Sequence, residues 1–172
     1  GYYDKQGVVI DGEDIKADSK ELLCFHPHGA VCCGWTIAQG SKSVGSLKTN
    51  MNWLVAPVLF KIPIISDVLL WCQCGPADSN HMKKLMWHNS NIALIPGGFN
   101  SAALFKRNHH RCYILNRKGF IKYALENGYS VRPCYSFGEE QTFFTINWFE
   151  KFRLWLADNS IPPVIFFGWP FN

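Results

Sequence analysis

The sequence is poor in charge. Asp, Glu, Lys and Arg make up only 17% of its 172 residues, whereas an average soluble domain has about 25%. Hydrophobic residues reach 48% and aromatic residues 15%, so intrinsic disorder is excluded. The length suits one domain. Such a composition indicates a protein with one face against lipid or an apolar ligand.

Carboxylates are absent from one long stretch. No Asp or Glu occurs between Ser79 and Leu125, although these residues include eight Lys or Arg and four His. A segment of this kind produces a positive field that attracts phosphate-bearing ligands or anionic lipid. A solvated basic surface is the alternative. The net charge of +4 is too small to indicate nucleic-acid binding by itself.

Several familiar motifs are also missing. The chain has no GxSxG nucleophile elbow, no GxGxxG dinucleotide fingerprint and no CxxC pair. The 40–46 segment has the glycine spacing of a phosphate-binding loop but lacks its Lys-Ser/Thr ending. No signal peptide or initiator Met precedes Gly1. We therefore expect a piece of a longer chain, truncated at both ends.

Strands and helices are expected to alternate along the chain. A polar, acidic lead-in occupies residues 1–20, and one folded domain is expected over 21–172. Short apolar runs predict buried strands at 22–25 and 91–95 and further strands at 131–135 and 164–167, and amphipathic stretches predict helices at 30–39, 79–88, 117–126 and 143–156. This alternation is typical of an α/β fold with a mostly parallel sheet covered by helices.

Two apolar segments are candidates for contact with lipid. Residues 51–72 are interrupted by Pro57 and Pro63, which argues against a straight membrane-spanning helix. We expect two short helices in a membrane interface or along an acyl groove, with a buried core hairpin as the alternative. The predicted 143–156 helix would place Phe144, Trp148, Phe152 and Trp155 on one face. That face fits either the core or a membrane surface.

The sharpest motif is His26-Pro27-His28-Gly29, directly after the first predicted strand. Active sites of helix-covered parallel sheets lie at the carboxyl ends of strands. An imidazole with a pKa near 6.5 accepts a proton at neutral pH. We take His26 as the first candidate for a general base and His28 as its partner or alternate. Two hydrogen-bonded turn histidines are the alternative, and a metal site lacks suitable ligand spacing.

Three further motifs surround this one in the predicted topology. The glycines of Pro96-Gly97-Gly98 would allow close backbone approach to a ligand or aim amides at an anion. Arg117 and Lys118 open a predicted helix after a basic loop with Lys106, Arg107 and Arg111, an arrangement that suits phosphate. Glu139 follows another strand and would orient a histidine or cap a loop.

These motifs, in this order and spacing, resemble the type-2 diacylglycerol acyltransferase family, which includes monoacylglycerol acyltransferases and wax synthases. Algal and protist members are the most similar. The resemblance implies a glycerolipid-acyltransferase-like fold over 21–172 and acyl-CoA-dependent O-acyl transfer to a neutral glycerolipid. It also implies membrane association, at the cytosolic face of the endoplasmic reticulum and at lipid droplets. No metal or redox cofactor and no nucleic acid are implied, and a homo-oligomer is left open.

The same resemblance implies roles for individual residues. The histidine would deprotonate a diacylglycerol hydroxyl, and we expect it to share one site with the Gly-Gly turn and the cationic loop. The assigned positions are His26, His28 and Glu139 for catalysis; Gly97, Gly98, Asn100 and Ser101 for the oxyanion and the acceptor; and Lys106, Arg107, Arg111, Arg117 and Lys118 for the acyl-CoA phosphates.

Two departures from the family leave alternatives open. Asn100 and Ser101 stand where members usually carry glutamates, and the N-terminal membrane hairpin is missing before His26. The acceptor is then diacylglycerol, monoacylglycerol or a fatty alcohol, or the chain is a non-catalytic homologue that binds acyl-CoA or lipid. A zinc protein using His109, His110 and Cys112 is a further alternative.

Overall fold

The computed structural model describes residue 9 and residues 11–40 and 51–168. Most of the 40–46 segment and parts of the 1–20 lead-in lie outside these residues. Within them, five parallel strands form one sheet in the order β3-β2-β4-β1-β5. The strands are β1 Glu21–His26, β2 Met51–Val55, β3 Cys74–Pro76, β4 Asn91–Leu94 and β5 Ser130–Tyr135. The predicted mostly parallel α/β sheet is confirmed.

Six helices accompany these strands in the described residues. They are α1 Cys33–Gly40, α2 Ile65–Trp71, α3 Ser79–Trp87, α4 Gly98–Ala103, α5 Gly119–Asn127 and α6 Glu150–Asp158. Asp78 begins α3 because its Oδ1 accepts hydrogen bonds from the amides of Asn80 and His81, each at 2.9 Å. Gly128 ends α5 with a φ of 68°, which glycine adopts without steric cost.

The core lies on both faces of the sheet because side chains alternate along β1. Leu22 of β1, paired with Ile92 and Val131, belongs to a cluster with Met82 and Met86 of α3. Its neighbour in sequence faces the other way, in a second cluster that includes Trp35 of α1. Strands buried on both faces are typical of parallel sheets covered by helices.

Near the amino-terminal end of β1, polar contacts connect this strand to β5 and β4. The buried Glu21 carboxylate of β1 accepts two hydrogen bonds from the Arg132 guanidinium of β5, at 2.8 and 2.9 Å. Asn91 of β4, fully buried, accepts the Glu21 amide at 3.1 Å. Ile15 of the lead-in is buried as well. The expected surface lead-in therefore contributes one side chain to the core.

The expectation for residues 51–72 is partly wrong. Its first part, Met51–Val55, is β2 rather than a helix, and β2 pairs in parallel with β3, which also excludes the hairpin. The remainder does form two short helices, a 3-10 turn at Pro57–Lys61 and α2. Apolar, β-compatible residues before Pro57 favour a buried strand, and both helical turns begin only after it.

The predicted 143–156 helix is wrong in its first half. Phe144–Thr145 forms strand β6, which pairs antiparallel with β7 at Phe166–Phe167. The rings of Phe144 and Phe167 stack with centroids 5.8 Å apart. Phe149 has a φ of 54°, so α6 begins only at Glu150. No helix within the described ranges is both long and apolar enough to cross a membrane.

Candidate functional site

The predicted motifs converge at one edge of the sheet. His26 is the last residue of β1, and it lies opposite Tyr135, the last residue of β5. Gly97 follows β4, which pairs with β1 on its other side. Because parallel strands end at the same edge, the three motifs face one region of the molecule.

His28 has a defined tautomer in this arrangement. Its Nδ1 lies 3.1 Å from the carbonyl oxygen of Gly29, and a carbonyl only accepts, so Nδ1 carries the hydrogen. The basic lone pair then lies on Nε2, and Cys32 Sγ lies 3.3 Å from both ring nitrogens. Burial lowers the pKa of His28. The ring is therefore neutral at pH 7.

His26 lies against the loop that carries the predicted phosphate-binding cations. Its Nδ1 is 3.3 Å from Sγ of Cys112. Burial lowers the pKa of His26 as well, although it is less closely surrounded by protein atoms than His28. A neutral, partly accessible imidazole is what a general base requires.

Glu139 holds backbone rather than a histidine ring. Its carboxylate is 2% exposed, and its two oxygens accept the amides of Cys33 and Gly34, at 2.9 and 2.7 Å. Desolvation by burial raises the pKa of Glu139, and the two amides oppose this shift. Within the described ranges no hydrogen bond joins Glu139 to His26 or His28. The loop-capping alternative fits the geometry, and any influence on the histidines passes through the start of α1.

The Gly97-Gly98 turn offers fewer free amides than expected. The Gly98 amide donates to the carbonyl of Ile95 at 3.1 Å, so it is used within the turn. This leaves the Gly97 amide as the oxyanion candidate from this motif. A side chain at Gly97 would collide with Ser101, because a Cβ there would lie 1.8 Å from Oγ. The turn thus requires glycine for close packing against α4.

Asn100 and Ser101 are buried and serve the fold of a neighbouring loop, the 112–117 loop. Ser101 Oγ accepts the Tyr113 amide at 3.0 Å. The Asn100 carbonyl accepts from the Arg117 guanidinium, and its amide group donates to Asp158 at 2.7 Å. Both side chains therefore have partners within the chain. Their expected role at the oxyanion or acceptor is not supported by this geometry.

The five predicted phosphate-binding cations differ in whether a carboxylate or an aromatic ring already contacts their charged group. Arg111 forms a two-bond ion pair with Glu150, at 2.7 and 3.2 Å, so its charge is matched. The Arg107 guanidinium lies 3.9 Å from the ring centre of Phe144. Lys106, Arg117 and Lys118 have no carboxylate partner among the described residues. The cationic candidates that fit best are therefore Lys106, Arg117 and Lys118.

The residues of the zinc alternative separate to different partners. His110 Nδ1 lies 2.6 Å from the Tyr135 hydroxyl, whereas Cys112 contacts His26. In the part of the chain that the structure describes, no three or more His, Cys, Asp or Glu side chains are grouped to hold a metal ion. The geometry therefore gives no support to a site built from His109, His110 and Cys112.

A continuous series of contacts joins the three expected parts of the site. His26 contacts Cys112. The backbone amide of Tyr113, the residue after Cys112, donates to Ser101, and Ser101 packs against Gly97. The imidazole, the Gly-Gly turn and the cationic loop are thus adjacent, as expected. Sequence reasoning missed Cys112 as a neighbour of the base and Asp158 altogether, because both are distant from their partners along the chain.

Comparison with known proteins shows which proteins this chain is similar to. The profile of the family described as "Diacylglycerol acyltransferase" matches residues 7–168. Diacylglycerol O-acyltransferase 1 of Eremothecium gossypii is 30% identical over 159 residues, which cover 83% of this chain and 33% of that protein. Human 2-acylglycerol O-acyltransferase 3 is 28% identical over 78% of this chain and 42% of its own length.

A wax-forming relative is similar over a comparable region. Acyl-CoA wax alcohol acyltransferase 1 of Mus musculus is 24% identical over 86% of this chain and 47% of its own length. The chain spans roughly a third to a half of the curated relatives it matches. No solved structure matches significantly.

Proposed function

Since this chain belongs to the diacylglycerol acyltransferase family, we propose that it forms part of an enzyme that transfers a fatty acyl group from acyl-CoA to diacylglycerol. The observation that carries the proposal is the position of His26. Its neutral imidazole lies at the sheet edge, 3.3 Å from Cys112 in a loop rich in cations. A base beside a phosphate-attracting surface suits an alcohol acceptor and a nucleotide-bearing donor.

In the proposed reaction, His26 removes the proton of the lipid hydroxyl. The hydroxyl oxygen attacks the thioester carbonyl and forms the new ester bond, while the carbon–sulfur bond breaks. CoA leaves as a thiolate, which takes the proton back from the imidazolium. The thioester is already activated, so no covalent acyl-enzyme is required. The Gly97 amide is the candidate to stabilise the developing oxyanion, and His28 is the alternate base.

The donor's phosphates are assigned to the cations that lack a carboxylate partner among the described residues, namely Lys106, Arg117 and Lys118. Arg107 is a weaker candidate because its guanidinium lies on Phe144. Arg111 is weaker still, since phosphate would have to displace the Glu150 carboxylate. Guanidinium groups bind phosphate oxygens through two parallel hydrogen bonds.

The proposed acceptor is a lipid alcohol, and diacylglycerol is the one we propose. The names of the relatives include acylglycerol and wax-alcohol acyltransferases at similar identity, so monoacylglycerol and a fatty alcohol are the rival acceptors. A non-catalytic homologue that binds acyl-CoA or lipid is a further rival. The adjacency of His26, the Gly97 turn and the cationic loop favours catalysis over binding alone.

We further propose that the enzyme acts on a membrane, at the cytosolic face of the endoplasmic reticulum and at lipid droplets. Large apolar side chains are exposed around α2 and around the start of α6, among other places in the described residues. Trp71 is 81% exposed, Trp148 75% and Phe149 77%. Exposed tryptophans of this kind suit the interface between water and lipid. Flotation of the protein with phosphatidylcholine vesicles, lost on replacing both tryptophans with Ala, would support this; unchanged flotation would contradict it.

The test of the activity is a transfer assay. Membranes containing the protein are incubated with labelled oleoyl-CoA and, separately, diacylglycerol, monoacylglycerol and a long-chain alcohol. We expect triacylglycerol as the main labelled product. If the main product came from monoacylglycerol or from the long-chain alcohol, that compound and not diacylglycerol would be the acceptor. If the protein bound oleoyl-CoA but transferred its acyl group to no acceptor, it would be a non-catalytic homologue.

A further inference from the structure

We infer that Asn100 and Asp158 are positioning residues that hold Arg117 ready, with its charge unneutralised, for a phosphate group of the donor. This inference rests on the proposed function and adds two residues to it. Neither Asn100 nor Asp158 was expected to influence the donor. The inference is carried by the contacts of one buried amide, that of Asn100.

The Asn100 amide lies between two opposite charges. The side chain is 1% exposed, its carbonyl accepts from the Arg117 guanidinium, and its NH₂ group donates to the Asp158 carboxylate at 2.7 Å. A carboxylate only accepts hydrogen bonds and a guanidinium only donates them. The amide therefore has one favourable orientation, and Asp158 fixes it from the far side.

Asn100 holds Arg117 without cancelling its charge. No carboxylate within the described residues forms an ion pair with Arg117, and the carboxylate of Asp158 acts through the neutral amide. Arg111 shows the contrasting case, because Glu150 pairs with it directly. A guanidinium restrained by a neutral acceptor keeps its attraction for an anion, and the restraint lowers the entropy lost when the ligand binds.

The position of Arg117 suits a ligand that comes from outside the protein. The residue is exposed, it lies two positions before α5 begins at Gly119, and its guanidinium carbon is 5.8 Å from the ring centre of Tyr113. One nitrogen contacts Asn100, so the others are available for the oxygens of an anion. Arginine in such a setting matches phosphate oxygens better than lysine does.

The arrangement predicts different effects for closely related substitutions. Asn100→Asp would place a carboxylate against Arg117 and beside Asp158, so it would neutralise the guanidinium. Asp158→Leu would remove the acceptor that orients the amide, whereas Asp158→Asn keeps a carbonyl acceptor there. We expect the first two variants to impair donor binding and the third to resemble the unsubstituted protein.

The experiment measures the Kd of oleoyl-CoA for membranes containing the protein and each variant, with KM and kcat in the transfer assay. Arg117→Ala, Asn100→Asp and Asp158→Leu should each raise Kd and KM about tenfold, the effect of one lost charge-assisted hydrogen bond. The kcat at saturating oleoyl-CoA should stay within about twofold. Asn89→Asp, the same change at an exposed position after α3, should leave Kd unaltered.

A double variant separates positioning from general damage to the fold. If Asn100 acts through Arg117, Asn100→Asp added to Arg117→Ala should cause no further loss, because coupled residues are not additive. Full additivity, or normal Kd values for Asn100→Asp and Asp158→Leu while Arg117→Ala is impaired, would overturn this inference alone. An unchanged Kd for Arg117→Ala would overturn the phosphate role as well, and absent oleoyl-CoA binding would overturn the proposed function.

Discussion

Gly29 lies directly against the carboxylate of Glu139. A Cβ added at Gly29 would fall 2.1 Å from Oε1 and 2.7 Å from Cδ of that side chain. Gly29 also has a φ of 64°, where other residues are strained. The same carboxylate binds the first amides of α1. The glycine that follows the two histidines and the glutamate after β5 are therefore parts of one packed unit.

Replacement of Gly29 with Ala tests this packing. We expect a loss of stability of about 2–5 kcal/mol, from backbone strain of about 1–2 kcal/mol and overpacking of about 1–3 kcal/mol. Gly128→Ala is the matched control, because Gly128 has a φ of 68° with nothing within 4 Å of its Cβ position. Thermal unfolding of both variants measures the difference. Equal losses would show that Glu139 does not restrict position 29.

Replacement of Glu139 with Gln should lower kcat by roughly tenfold with little change in the KM for oleoyl-CoA. A glutamine can accept only one of the two amides and turns its NH₂ group toward the other, which costs about 1–3 kcal/mol. The start of α1 and the His26–Gly29 segment would then shift. Steady-state kinetics with both substrates measure this effect. A large rise in KM with normal kcat would place Glu139 with the donor instead.

The pH dependence follows from the direction of the histidine pKa shifts. Burial lowers the pKa of His26 below its ordinary value near 6.5. The base must be neutral to work, so log kcat/KM should be flat at pH 7 and fall only on the acid side of about pH 6.5. The folded state should also lose stability as pH falls below about 6.5, because His26 binds a proton more readily in the unfolded state than in the folded state. An acid limb centred above pH 7 would contradict the assignment.

Cys112 offers a chemical probe of the site. Its thiol is exposed and lies 3.3 Å from His26 Nδ1, so a bulky adduct would obstruct the imidazole. We expect N-ethylmaleimide to inactivate the protein slowly, since partial desolvation of the sulfur by neighbouring protein atoms raises the pKa of the Cys112 thiol and reduces its thiolate fraction. Cys112→Ala should remain active and resist the reagent, whereas Cys72→Ala, which removes another exposed thiol, should stay sensitive. Inactivation of Cys112→Ala at the original rate would place the sensitive thiol elsewhere.

The strands around the site were predictable because their local signals are strong. The runs at 22–25 and 91–95 are mostly apolar, and Pro27 and Pro96 follow them closely, as expected for parallel strands that end beside a site. β2 was missed because Met51–Val55 was grouped with the proline-broken residues that follow it, and β3 was missed because it has only 3 residues, two of which are Gly75 and Pro76. The aromatic period at 143–156 suggested a helix, but the pairing of β6 with β7 overrides that local preference.

Only those parts of the site that consist of residues close together in the sequence could be predicted. His26 and Gly97 were found from strand-end motifs. The contacts that change the roles of Asn100 and Arg111 involve Asp158 and Glu150, which lie 58 and 39 residues away. No local pattern indicates such pairs, because they depend on how α4 and α6 pack in three dimensions.

The central claim is that His26 is the base for acyl transfer, and its removal is the most direct test. His26→Ala should lower transfer from labelled oleoyl-CoA to diacylglycerol by about 10²–10⁴-fold, with an unchanged melting temperature and oleoyl-CoA Kd. His88→Ala, at an exposed histidine after α3, should retain full activity. Full activity of His26→Ala would contradict the central claim, and full activity of both His26→Ala and His28→Ala would exclude either histidine as the base.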